Sequence, residues 1–567
     1  MSVEFKPKRR ADKDVISYFE FSGLRNDIPT HRFDATDLAV GDNVVIDKSH
    51  RIFRRRGATK RVSGAAHSLW ANENRAFYVS GTSLVELKND MTTAALATNL
   101  SGDSTSFCQP SDTLYLTDGA TTRAMPGAGT VLRTWGLEIP PAPLATVVAG
   151  DLAPGRYGIT STYMRNDGQE SGAPVGEFFD VAAGRALMLT PIASADPGVV
   201  ATRVYMTAAD SELFMCVSEN ATASFTPPRA MIDAMVEPLA TQFLGPPPVG
   251  QMIAYYKGHM FVAAGDVLYP SEPYSYELFD LRKFIQLDGE ITLLAPLEDR
   301  SSGDSTGFFV GTSASCGILA GGGPDAFQYI PKADFGAVPG AATFVDGNLY
   351  KDGAIGSRML PMWLSTRGIC VGMPGLEVLN LTRSGYGFPI GARGAALFVP
   401  EENRFIAVSD GGPGITMNAE VQALTTFSNF NYNSMARFDT RSFGANDNGV
   451  FELVGDTDNG APIAAQISFG VTDFGSSFMK GLDRMYVGVR SVTPMSVEVK
   501  LEEKTAYQYV LDARPDERMD TQRVKTGKGL EGRYWQFTLR NTLGGDFQLD
   551  VVDVQSKQMT RRVNGRA

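Results

Sequence analysis

Along this chain, apolar residues fall in short alternating runs that Asn, Asp and Gly repeatedly interrupt. Leu69-Trp70 gives way to Asn74-Arg75, the run resumes at Phe77-Tyr78-Val79, turns at Gly81 and resumes at Leu84-Val85. The phrase returns at Met252 to Tyr255, Gly258-His259, Met260-Phe261-Val262, Gly265-Asp266 and Val267-Leu268-Tyr269. Looser copies run through Leu114-Tyr115-Leu116, Phe308-Phe309-Val310, Ile369-Cys370-Val371 and Leu397-Phe398-Val399. Runs of about 4–8 residues bounded by turn formers predict antiparallel hairpins, and helical periodicity is scarce. Many such hairpins in one chain predict an all-β fold and specifically a β-propeller, whose small sheets bury their faces only against neighbouring sheets. A large β-sandwich with similar hairpins is the alternative.

Breaks in the rhythm divide the chain. Pro140-Pro141 and Pro246-Pro247-Pro248 bracket a segment that departs from the hairpin phrase, and proline clusters of this kind mark domain boundaries. The propeller is therefore expected over residues 63–138 and 247–445, with residues 139–246 inserted between hairpins. Within the insertion, Gly155 to Tyr163 alternates cleanly, Asn166-Asp167-Gly168 is a turn, and Val200 to Thr207 pairs with Leu213 to Val217 across Asp210-Ser211. Strands at this spacing suit an immunoglobulin-like sandwich. From about residue 450 longer two-faced strands appear at Met485 to Val489, Ser496 to Glu502, Gly532 to Leu539 and Phe547 to Val552, the last two across Gly544-Gly545-Asp546; residues 446–567 are read as a C-terminal β domain. Residues 1–62 read as an N-terminal arm. Phe19-Glu20-Phe21 and Ala39 to Ile46 are its predicted strands, and a basic cluster follows at Arg51, Arg54-Arg55-Arg56-Gly57 and Lys60-Arg61. Such a cluster is either a solvated face or a contact with an acidic partner or nucleic acid.

Two resemblances rest on these residues. Tyr157 to Thr160 and Val204 to Thr207 approximate the strand patterns of a fibronectin type III module, which implies a spacer or docking surface over residues 139–246. The order Phe21-Ser22-Gly23-Leu24-Arg25-Asn26-Asp27, Leu38 to Asn43 into Val44, Ile46 and Asp47, then Arg51 and Arg54-Arg55-Arg56-Gly57 ahead of the first hairpin phrase at His67 to Trp70, resembles the opening of tail nozzle or hub proteins of short-tailed bacteriophages. That resemblance covers the first 90 residues best. It implies a propeller, six copies in a ring that extends the DNA conduit below the portal and head-to-tail adaptor, an attachment point for tail fibres, and a place in the virion tail after assembly in the host cytoplasm. On it, Arg25, Arg51, Arg54, Arg55 and Arg56 become candidate subunit contacts.

Length, charge, cysteine usage and apolar runs change the picture in turn. At 567 residues the chain exceeds the size of one core, so two to four domains are expected. Residues 1–62 hold 14 Lys and Arg against 9 Asp and Glu, and residues 523–567 hold 9 against 4, so the total of -11 leaves -21 for the middle. An acidic body argues against gripping DNA, which takes clustered Lys and Arg, and suits a surface that DNA slides past; simple solubility is the plain alternative. Four cysteines at 108, 216, 316 and 370 show no paired spacing and read as core residues in a reducing compartment. No apolar run is long enough to span a membrane, and the basic N-terminus lacks the apolar core of a secretion signal.

Candidate chemistry is sparse. Four scattered histidines offer no metal cluster, and Gly311-Thr312-Ser313-Ala314-Ser315 lacks the second glycine of a nucleophile elbow. Thr526-Gly527-Lys528-Gly529 lacks the residues of a phosphate-binding loop, and Asp456-Thr457-Asp458-Asn459-Gly460 fits a hairpin turn better than a calcium loop. No catalytic residue, metal site or cofactor is therefore assigned. The expected function is a structural ring subunit through which DNA passes unbound. A propeller-type glycan hydrolase and a fibre-docking or receptor-binding adaptor are the alternatives.

Overall fold

A computed structural model describes residues 13–127, 129–299, 305–351, 355–382, 385–502, 504–514, 520–527 and 529–559. The basic tail at Arg561, Arg562 and Arg566, and Lys528 of the Thr526 to Gly529 motif, lie outside the described residues. The fold is all-β, and Arg229–Asp233 is the one α-helix among the described residues. No helix there is long and apolar enough to cross a membrane. The chain forms two compact units: residues 1–95, 297–318 and 331–567, and residues 96–296 with 319–330.

The recurring phrase folds as four-stranded antiparallel meanders. In the first unit His67–Ala71, Ala76–Ser80, Ser83–Leu87 and Thr93–Ala97 follow one another across one sheet. Gly394–Val399, Arg404–Ser409, Gly414–Asn418 and Leu424–Phe427 form a second. Ser434–Phe438, Arg441–Asn446 and Gly449–Glu452 form a third, completed by Thr59–Ser63 from near the N-terminus. Successive meanders bury their faces on each other. Leu69, Tyr78 and Val85 meet Phe438, Phe443 and Val450, while Leu397 and Ile406 meet Phe430, Tyr432 and Phe451. The third meander is thus apolar on both faces, which it could not bury alone.

The segment read as an arm runs inside this unit's own sheets. Lys13–Tyr18 pairs with Phe547–Gln558, and Ile52–Arg54 borders the same strand. Gly23–Leu24 and Asp37–Asp42 bridge the Leu424–Phe427 edge to Ala465–Phe469, giving a ten-stranded sheet that continues through Trp535–Asn541, Met495–Leu501 and Thr505–Leu511. Trp535–Asn541 and Phe547–Gln558 do not form the hairpin their spacing around Gly544-Gly545-Asp546 suggests; they lie in different sheets. The predicted strand at Phe19-Glu20-Phe21 is also absent. Tyr18 and Phe21 are both buried and both stack on Phe469, at 4.3 and 6.0 Å. Residues three apart on a strand face opposite ways, so the strand ends at Tyr18 and Glu20, with φ +50°, turns Phe21 back onto the same core.

The second unit contains two meanders and the inserted segment. Ser106–Cys108, Leu114–Thr117, Thr122–Met125 and Arg133–Thr134 form one; Met252–Tyr256, His259–Ala264, Val267–Glu272 and Ser275–Phe279 carry the other. Tyr115, Ala124 and Trp135 pack on Ile253, Met260, Val262 and Phe279 between them. The Lys257-Gly258 turn takes left-handed backbone at both residues, φ +46° and +79°, as a two-residue hairpin loop requires. Between the meanders lie a two-stranded sheet, Leu144–Ala149 with Arg185–Thr190, and a four-stranded sheet ordered Glu177–Val181, Gly155–Arg165, Val199–Met206 and Met215–Ser218. They enclose a core of their own around Tyr157, Ile159, Leu187, Leu189, Val204 and Met206.

Candidate functional site

The five candidate arginines all lie in the first unit, and the structure separates them by accessibility. Arg25 donates from Nε to Asp27 at 2.8 Å and from Nη1 to Asp37 at 3.2 Å. These bonds raise the Arg25 guanidinium above its ordinary value and hold the Asp27 carboxyl below its own. Arg51 meets Asp550 at 2.9 Å with both side chains about half exposed.

Arg54 and Arg55 are buried. Asn43, in left-handed backbone at φ +55°, ends the Asp37–Asp42 strand and sends its side chain inward. Its Oδ1 accepts from Arg55 Nε at 2.7 Å, and its Nδ2 donates to the Ala464 carbonyl. The Arg55 fork then closes on Asp458 in a two-point pair of 2.9 and 2.6 Å, with Phe427 and Phe430 rings 5.5 and 5.8 Å from the guanidinium carbon. Arg54 donates to the Asp456 carbonyl and carboxylate, each at 2.9 Å. The acids come from the tight hairpin of Thr457–Asp458 and Ala461–Pro462, closed by Asn459 and Gly460 at φ +48° and +94°. Gly57 lies against this hairpin so closely that a Cβ would stand 2.1 Å from the Thr457 carbonyl oxygen. The carboxylates at 456 and 458 therefore serve guanidiniums, and among the described residues no group of His, Cys, Asp and Glu could hold a metal.

Arg56 points the other way. Its side chain is 66% exposed, and it shares Glu402 with the buried Arg404, at 2.9 and 3.1 Å. Burial lowers the Arg404 guanidinium from its ordinary value. Of the five, Arg56 and Arg51 present the most accessible cations, while Arg54 and Arg55 fasten Phe53 to Ala58 onto the 456–458 hairpin.

The remaining motifs resolve into structure. Thr312 Oγ1 accepts from the amides of Ala314 and Ser315, making the Gly311 to Ser315 stretch a hydrogen-bonded turn. His259 Nδ1 lies 2.7 Å from the Ser271 carbonyl and His50 Nδ1 lies 3.1 Å from that of Phe21. All four cysteines are free thiols, and burial pushes the Cys370 thiol up to about 12, far from a reactive thiolate.

The sequence reading missed one cluster. In the second unit Glu277, 5% exposed, accepts from Arg133 at 2.6 and 2.9 Å and from Arg165 at 2.8 Å. The Gly136 amide adds a fourth donor at 3.1 Å, and Arg165 also donates to the Gly136 carbonyl. This triad joins the inserted segment to both meanders of its unit. Its members lie 112 and 144 residues apart, so no local spacing signals it.

No family model matches this chain, and no curated protein matches it. Solved structures to which it is distantly similar include a streptogramin B lyase, 9% identical over 69% of this chain and 93% of that one with a TM-score of 0.34. A gluconolactonase from Xanthomonas campestris is 10% identical over 71% of this chain and 98% of that one, with a TM-score of 0.27.

Proposed function

We propose that this chain is a structural ring subunit, a homohexameric tail nozzle or hub of a short-tailed bacteriophage. Six copies extend the DNA-ejection channel below the portal and adaptor and carry the tail fibres, and the protein turns over no substrate. The meanders are taken as propeller blades and residues 139–246 as a fibronectin type III-like insertion. The observation that supports the reading most is the disposition of charge. The Arg54-Arg55 pair, the densest cationic stretch of the segment that resembles nozzle proteins, is buried and bound to Asp456 and Asp458 within one chain. The chain as a whole carries -11. Phosphates bind to clusters of free Lys and Arg; a wall of net negative charge repels a polyanion and lets it slide. Arg56 and Arg51 remain accessible for a neighbouring subunit's acids.

Electron microscopy of particles containing this chain, averaged without imposed symmetry, tests the reading. A six-fold ring on the tail axis is the expected result, and a monomer at the particle periphery overturns it.

A further inference from the structure

The inserted segment exposes four sheet edges, and its own chain treats them unequally. The Arg185–Thr190 edge is covered where Leu189 and Phe225 exchange both amide hydrogen bonds, at 2.8 and 3.0 Å. The Met215–Ser218 edge is covered by the 237–238 backbone, with Cys216 donating to the Glu237 carbonyl at 2.8 Å. Among the described residues the other two edges stay open. Leu144–Ala149 pairs with Arg185–Thr190 alone, and Glu177–Val181 pairs with Gly155–Arg165 alone.

The Leu144–Ala149 strand carries none of the usual protection, and Glu177–Val181 is protected only by the charges of Glu177 and Asp180. Both pair in unbroken register without a bulge, and neither contains Pro or Lys. Leu144–Ala149 has no charged residue at all, yet Leu144 is 63% and Val147 47% exposed. On the second strand Phe178 is 40% exposed. A row of unpaired amides and carbonyls beside exposed apolar side chains is a template for another strand, and folded proteins blunt such edges unless they are used. The only ligand that satisfies the whole row is extended polypeptide.

We propose that the two open edges are complementary halves of one contact, in which Leu144–Ala149 of one copy adds to Glu177–Val181 of the next copy of this chain. Two different edges on one module make a head-to-tail contact, and contacts of that kind close into rings when the rotation closes. A strand pairing only with its own counterpart would leave the Glu177–Val181 edge open in every copy. The inference rests on the homo-oligomeric reading above and specifies where one copy grips the next.

The test uses full-length chain with Cys108 and Cys216 replaced by Ser. Copies carrying Cys at position 144, 146 or 147 are co-assembled pairwise with copies carrying Cys at 177 or 180, then mildly oxidised. At least one pair is expected to give an intermolecular disulfide between the two kinds of copy. Val147→Pro, which removes an edge amide, is expected to reduce the oligomer to monomer, and Val147→Lys to weaken it at least tenfold if the proline variant fails to fold. An oligomer that persists in Val147→Lys and yields no such disulfide, or yields one only between two copies of the 144–149 strand, overturns this contact and leaves the ring standing. A wild-type chain that is monomeric at every concentration overturns the ring and this contact together.

Discussion

The two units close seams between distant segments with the same chemistry and opposite geometry. In the first, Arg54 and Arg55 each have an acid of their own, and those acids sit on an exposed hairpin: the Asp456 side chain is 87% exposed and that of Asp458 25%. In the second, one nearly inaccessible carboxylate, Glu277, serves two guanidiniums and an amide. The first arrangement keeps its desolvation cost low by leaving one end wet. The second concentrates that cost in one residue, since a buried charge is tolerable only while all its partners remain. Losing one member should therefore be local at Arg54 and collective at Glu277.

The largest expected effect is Glu277→Gln, which leaves the buried Arg165 guanidinium without its carboxylate and Arg133 with Asp167 alone, and should destabilise the second unit by about 3–5 kcal/mol. Denaturant unfolding followed by hydrogen exchange of the Tyr157 and Val204 amides reads it; unchanged protection there would remove the triad's special status. Arg55→Ala follows at about 3 kcal/mol in the first unit, and Arg55→Lys should recover less than half, because an ammonium cannot reproduce a two-point pair. A lysine variant as stable as wild type would show that charge alone suffices.

Gly57→Ala forces a methyl against the Thr457 carbonyl and should cost about 1–3 kcal/mol of overpacking without touching any charge. It separates steric from ionic contributions at one seam, and a thermal midpoint equal to wild type would mean the hairpin yields freely. Arg56→Ala, at an exposed pair, should change the monomer's stability by about 1 kcal/mol or less, so a larger loss would place Arg56 with its buried neighbours.

The smallest effect concerns pH. Arg25 holds the Asp27 carboxyl below its ordinary value, so that pair's contribution is present above the unfolded carboxylate pKa and lost as pH falls through the lowered one. The stability gap between wild type and Arg25→Gln should close on acidification. A gap that widens would reverse the sign.

How far the sequence could be read followed from the range of the interaction. Turn chemistry is local, and Gly258, Asn459-Gly460 and the strands around Phe77 and Met260 stand where their patterns place them. Phe19 to Phe21 failed because its alternation is overridden by Phe469, a partner about 450 residues away. The basic cluster was visible as composition, but which arginines are buried depends on acids about 400 residues downstream. Glu277 was invisible, since a lone Glu before Leu and Phe carries no mark of two guanidiniums that only the folded chain brings to it.

The pairing of Lys13–Tyr18 with Phe547–Gln558 has a consequence for biosynthesis. Lys13 meets Lys557, so two strands more than 500 residues apart along the chain must find each other. At about 5–20 residues per second the synthesis between them lasts roughly half a minute to two minutes. For most of it Tyr18 and Phe21 lack Phe469 and the Thr59–Ser63 strand lacks Gly449–Glu452, and the first unit can close only once Phe547–Gln558 has been made.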